Sequence, residues 1–160
     1  MEQAQLTGVV CRTFRPGDEA AFFRLNEDWI SKFFALEPAD LEIIRDPGRH
    51  ILAGGGQICM AEVGGEAIGC CALIAIAPGE FELAKMTVSE NSRGGGVGRR
   101  LLQFVIGVAR QMGAHRLYLE SNTKAAAAIH LYEQLGFRHL PGPLHESKYV
   151  RANVFMELLL

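Results

Sequence analysis

No stretch of this chain is apolar for long enough to span a bilayer. Its four cysteines, Cys11, Cys59, Cys70 and Cys71, contain no Cys-x-x-Cys pair, and the five histidines show no ligand spacing among themselves. Neither a zinc site nor a thioredoxin-type redox site has support, and no metal is required. A surplus of one charge is missing too: 16 Lys and Arg against 18 Asp and Glu leave a net charge of −2. That excludes the basic excess expected of a nucleic-acid-binding chain. The opening residues MEQAQLTG lack the basic and apolar regions of a secretory signal, so the expected location is cytoplasmic. There are no long repeats, low-complexity segments or linkers. A length of 160 residues, with 49% hydrophobic and 21% charged residues, fits a single domain, 1–160, with a real core. The cysteines read as buried free thiols, and Cys70 and Cys71, adjacent in a predicted strand, would point to opposite faces.

What the chain does contain is concentrated between Phe81 and Leu102. Phe81, Leu83, Ala84, Met86 and Val88 form a mostly apolar run, as in a strand covered on both faces. A polar turn, Ser89 to Ser92, leads into Arg93-Gly94-Gly95-Gly96-Val97-Gly98. From there Leu101, Leu102, Val105, Ile106, Ala109 and Met112 recur at helical spacing. Strand, glycine-rich turn and helix together offer bare backbone N–H groups at a positive helix end, a site for phosphate. Gly-x-x-x-x-Gly-Lys-Ser/Thr is absent, which argues against a nucleoside-triphosphate loop. Gly-x-Gly-x-x-Gly fails as well, because its third glycine falls on Arg99 or Leu101, although Glu120 stands about where a ribose-binding acid would. A tight turn whose glycines serve packing alone is the bland alternative.

The remaining order is legible in outline. Gly8–Phe14 reads as a strand, and Asp18 as the cap of a helix over Ala20–Leu36 that carries Trp29, Phe33 and Phe34. A short helix follows near Ala39–Arg45, then a loop at Asp46–Gly48 and a turn at Gly54–Gly56. Gln57–Val63 and Glu66–Ile76 are strands joined by Gly64-Gly65, a hairpin signal, so an antiparallel meander leads into the central strand. His115–Glu120 alternates like a strand and is expected parallel to the central one after a crossover. A helix from Ala125 stops at Gly136, and Tyr149–Leu159 reads as the last strand.

Two patterns in this frame resemble one family. Arg93-x-x-Gly96-x-Gly98, directly after a strand ending at Val88, is similar to the acetyl-CoA pyrophosphate loop of the GNAT superfamily of N-acyltransferases. Ala128-Ile129-x-Leu131-Tyr132-x-x-x-Gly136-Phe137 is similar to the motif that usually closes its cofactor site. The resemblance runs from Gly8 to the end, with its specific motifs between Glu82 and Phe137. It implies an α/β domain with a mixed sheet of six to seven strands and about four helices. It also implies N-acetyl transfer from acetyl-CoA to a primary amine. Cofactor contacts are expected from Met86, Thr87 and Val88 on the strand, from Arg93, Gly94, Gly95, Gly96, Val97, Gly98 and Arg99 around the loop, and from Asn122 and Tyr132. Many family members place an asparagine seven residues before the tyrosine. Here that position is Ala125, and Asn122 stands ten before.

For chemistry, the resemblance makes Glu82 the base and Tyr132 the acid. A carboxylate in so apolar a strand needs a reason, and an ion pair with Lys85 or Arg151 is the alternative to catalysis. For Tyr132 the alternative is a local hydrogen bond. Trp29, Phe33, Phe34, Tyr149 and Arg151 are expected near the acceptor, with Arg151 suited to hold a carboxylate. A small metabolite or amino-acid-like amine is ranked ahead of a protein or peptide amine. Neither a longer acyl group nor a non-catalytic acyl-CoA sensor is excluded, and a homodimer stays open.

Overall fold

The computed structural model describes residues 8–160. Seven strands form one sheet in the order β1-β2-β3-β4-β5-β7-β6. They are β1 (Val9–Thr13), β2 (Gln57–Val63), β3 (Glu66–Ala77), β4 (Glu80–Val88), β5 (Arg116–Ser121), β6 (Arg138–His139) and β7 (Val154–Leu159). Four α-helices cover it: α1 (Glu19–Phe33), α2 (Pro38–Arg45), α3 (Val97–Gln111) and α4 (Ala126–Gln134). The first four strands are antiparallel neighbours, and β5 lies parallel to β4, so the expected meander and crossover are both present. The hairpin between β2 and β3 turns on Gly64 and Gly65, both left-handed with φ of 57° and 82°.

Alternation along the strands divides the core into two layers. Cys59, Ala61, Cys71, Leu73, Phe81 and Leu83 face α3, whose Leu101, Leu102, Val105 and Ala109 are buried against them. Ile58, Met60, Cys70 and Ala72 face the other way, onto Phe22 and Leu25 of α1 and Ile43 and Ile44 of α2. Both faces are covered, which is why β2 and β3 read as continuous apolar runs rather than alternating ones. Cys70 and Cys71 do fall on opposite faces, and the cysteines are free thiols. Among the described residues no helix is long and apolar enough to cross a membrane.

Three local expectations fail. Asp18 precedes α1, but its carboxylate accepts from Arg12 at 2.7 and 2.9 Å and from the Arg15 N–H at 2.9 Å, and makes no cap bond to the helix. The charged partner on β1 outcompetes the helix amides for it. The first helix stops at Phe33 rather than Leu36, because Phe34 is extended, with φ −145° and ψ 173°, on the approach to Glu37-Pro38. The last strand begins at Val154 rather than Tyr149. Residues 149–153 form a turn in which Val150 donates to Glu37 and Arg151 pairs with Asp40. Sequence reading also missed β6, a two-residue strand against β7.

Candidate active site

The central strand carries the geometry. Up to Glu82, β4 is paired on both sides, with Glu80, Phe81 and Glu82 opposite Arg116, Leu117 and Tyr118 of β5. Beyond that the two parallel strands separate. β4 keeps its ladder to β3 as far as Val88, while β5 from Leu119 to Ser121 is paired only to β7. Within β4 the register against β3 slips by one residue between Ala84 and Thr87. This bulge holds Lys85 at φ 54°, the one left-handed non-glycine residue among those described. A bulge increases local twist, and here it accompanies the parting of β4 from β5.

The gap is a slot through the sheet of about 110 Å³, walled by Glu82, Leu83, Ala84, Lys85 and Met86 on one side and Glu120, Ser121 and Asn122 on the other. Because the slot crosses the sheet, groups from opposite faces meet in it. Glu82 comes from the α1/α2 face, and Tyr132 reaches it from α4 on the α3 face. A second cavity of about 210 Å³ adjoins it under α2, lined by Ile43, Ile74, Ile76, His145, Lys148 and Tyr149 among others. Glu82, Ala84, Glu120 and Tyr149 line both spaces. The candidate base therefore stands at the partition between two compartments.

Burial shifts both candidate catalytic groups in the same direction, upward. Burial raises the Glu82 carboxyl above its ordinary range and the neighbouring Glu120 charge raises it further, while His145, Lys148 and Lys85 oppose them. Glu82 has no hydrogen bond or ion pair to a described residue; Lys85 and Arg151, the alternatives raised from sequence, are engaged elsewhere. Burial likewise raises the Tyr132 hydroxyl, keeping it protonated at neutral pH. No described residue hydrogen-bonds that hydroxyl. Glu120 was missed as a site residue. It is held by the Tyr118 hydroxyl at 2.8 Å and by Ser147, on the same face as Glu82. Its alternation with Tyr118 in HRLYLE was the available signal.

The cap residue preceding α3 is Gly96, left-handed at φ 82° and ψ 6°. A side chain there would be strained. The first turn of α3 contains no acid but holds Arg99 and Arg100, the reverse of what a helix N-terminus favours. An anion seated there would reverse that imbalance. Arg93 donates from Nε to the Val88 carbonyl at 3.0 Å, and Arg99 bonds Gln134 of α4. Thr87 is turned inward and donates to the Leu25 carbonyl at 3.3 Å, so its hydroxyl is already engaged.

The other sequence candidates divide. Trp29, Phe34, Tyr149 and Arg151 line the slot, as do Asn122 and Ala125, but Phe33 does not. It is exposed at the end of α1, packed on Trp29 and beneath the Arg93 guanidinium. Asn122 spans the end of β5, donating to the Arg151 carbonyl at 2.6 Å and accepting from the Lys124 N–H at 2.9 Å. The Arg151 guanidinium is committed to Asp40, at 2.7 and 2.6 Å, and to Glu37 at 3.0 Å. Its charge is thus met within the protein. Among the described residues no group of three or more His, Cys, Asp or Glu side chains is placed to hold a metal.

Comparison with known proteins shows the family. The acetyltransferase (GNAT) family model matches residues 18–137. An IAA acetyltransferase of Azospirillum brasilense is 37% identical over 119 residues, covering 74% of this chain and 72% of that protein. An uncharacterised N-acetyltransferase of Escherichia coli is 39% identical over 75 residues, 47% of this chain and 45% of that protein, so the match spans less than half of that relative's length. In fold, the chain is similar to a GNAT-family acetyltransferase from Staphylococcus aureus, with a TM-score of 0.83 at 20% identity over 93% of this chain and 97% of the other.

Proposed function

The chain belongs to the acetyltransferase (GNAT) family, and from that premise we propose that it transfers the acetyl group of acetyl-CoA to the primary amine of a small metabolite. The observation that carries this reading is the slot between β4 and β5, with Glu82 at its partition and Tyr132 at its far wall. Acetyl-CoA supplies an activated acyl group and a thiolate leaving group. The backbone amides of Gly94–Gly98 at the start of α3 suit its pyrophosphate, with Arg93 and Arg99 adding positive charge. The unpaired edge of β4 from Met86 to Val88 suits an extended pantetheine arm lying as an added strand, closed by Asn122 and Tyr132. A backbone N–H on that edge is a donor for developing oxyanion charge.

The acceptor enters from the cavity under α2, past Tyr149, toward the slot that Trp29 and Phe34 line. An aliphatic amine of pKa ~10 is almost wholly protonated at neutral pH, so its proton must be removed before or during attack. Glu82 is the base. Its raised pKa brings it toward the working range of a general base. Tyr132, held protonated, returns a proton to the departing sulfur. With Arg151 neutralised by Asp40 and Glu37, the acceptor is selected as an amine rather than by a carboxylate handle.

Thermal unfolding tests the donor assignment, since a ligand that binds only the folded chain raises its melting temperature. Acetyl-CoA should raise it, with NAD and ATP doing much less; an equal rise with NAD and none with acetyl-CoA would overturn the assignment. CoA release across amines, amino acids and peptides then ranks the acceptors. Release with peptides alone would replace the small amine by a protein one.

A further inference from the structure

Asp40 joins several segments around the slot. It is fully buried and is the third residue of α2, where it accepts the Glu37 N–H at 2.9 Å and closes a capping box with that residue. Its Oδ1 accepts from Lys85 Nζ at 2.9 Å, and Arg151 grips both oxygens. Lys85, its side chain 5% exposed, also donates to the Tyr149 hydroxyl at 2.9 Å, and its ammonium stands 4.5 Å from the centre of that ring. Arg151 lies over both Phe34 and Tyr149, and its carbonyl is held by Asn122 at the end of β5. One carboxylate thus connects α2, the bulge of β4, the 149–151 turn and, through Asn122, the point where β5 leaves β4.

Two considerations argue that this cluster serves geometry more than stability. Burying an ion network gains little over apolar packing of the same volume, because desolvation cancels much of the attraction. Its anchor on β4 is a lysine in the left-handed region, a conformation that persists in a non-glycine residue only when the surroundings impose it. Here the surroundings are Asp40 and Tyr149, which draw the Lys85 side chain toward α2.

We propose that Asp40 is a positioning residue for acyl transfer: by holding Lys85 it fixes the bulge of β4, and with it the strand edge and the Glu82 partition against which donor and acceptor align. The proposal rests on the acetyltransferase reading for its kinetic consequence, though not for its structural one.

Two measurements on Asp40→Asn test it. In the protein without ligand, hydrogen exchange at the amides of Lys85, Met86 and Thr87 should quicken by about 10-fold or more, while the amides of α3 stay within about 3-fold, as expected of local rather than global opening. In turnover, kcat per folded molecule should fall about 10- to 100-fold with acetyl-CoA affinity held within about 3-fold, since misplacement of about 1 Å costs rate on that scale. Adding Lys85→Gly should restore most of kcat, because glycine takes the left-handed conformation unaided and removes the orphaned cation. Unchanged exchange at the bulge overturns the proposal. So does a lost kcat that Lys85→Gly leaves unrestored, which would mean that Asp40 acts by another route. If Asp40→Asn does not fold, Lys85→Met, which keeps the stem without the charge, must show the same exchange pattern or the proposal fails. Were the wild-type chain to release no CoA with any amine, the functional reading would fail, and the exchange measurement alone would decide whether Asp40 holds the bulge.

Discussion

Replacing Glu82 by Gln keeps the side chain's shape and removes its ability to take a proton. General bases contribute about 10²- to 10⁴-fold, so turnover should fall by at least about 100-fold, with acetyl-CoA affinity retained. The pH profile carries the sharper information. Glu82 must be ionised to act, and burial with the Glu120 charge raises its pKa above the ordinary ~4.3 of a glutamate. The rate of the wild-type protein should therefore drop on its acid side at a higher pH than an ordinary carboxylate would give. That limb should vanish in Glu82→Gln and move to lower pH in Glu120→Gln, which removes a charge that raises it. Stability has the opposite sign from the usual carboxylate. The folded state holds the Glu82 proton more tightly than the unfolded one, so stability falls as pH rises from the unfolded pKa through the folded one. Glu82→Gln breaks no bond to a described residue, so its melting temperature at neutral pH should equal or exceed that of the wild type. Calorimetry and pH–rate profiles on one preparation separate the possibilities. A lower melting temperature with near-normal turnover and an unshifted acid limb would refute the assignment.

Tyr132→Phe should lower turnover by about 10- to 1000-fold, seen in CoA release, and change the melting temperature little because the hydroxyl has no partner among the described residues. Gly96→Val should abolish the thermal stabilisation by acetyl-CoA while affecting the unliganded fold less, since a side chain at φ 82° is strained in the turn proposed to hold the pyrophosphate. Burial would raise Asp40, but Arg151 and Lys85 hold its pKa at about 2. It therefore contributes stability on the order of 2 kcal/mol that is complete above pH ~4 and lost as pH falls toward 2, and Asp40→Asn should flatten the acid-unfolding curve in that window.

The order of elements was readable because the physics behind it is local. Gly64-Gly65 sets a hairpin, and the change of period after Gly98 marks a strand passing into a helix. Gly136, left-handed at φ 100°, stops α4 as its position suggests. The candidate base, acid and loop were nominated from sequence, since each occupies a patterned place in a strand, a helix or a turn. What escaped depended on contacts between distant segments. Asp18 looked like a cap because its partner, Arg12, lies on a neighbouring strand. Residues 149–153 have strand-forming composition, yet Glu37 and Asp40, more than 100 residues earlier, draw them into a turn. Arg151 read as a substrate ligand for the same reason. A buried lysine at position 85 was the visible hint that a buried acid had to exist, but nothing in the spacing pointed to Asp40.

The split of the core by adjacent cysteines gives the chain two internal reporters. Burial pushes the Cys59 and Cys70 thiols up to about 12 and raises Cys71 well above its ordinary value, so none is reactive while its layer is closed. Cys70 lies under α1, within reach of the Asn26 side chain, while Cys59 and Cys71 pair across β2 and β3 beneath α3. Alkylation under native conditions therefore times the lifting of each helical layer separately, and the order in which the thiols are modified reveals which side of the sheet breathes first.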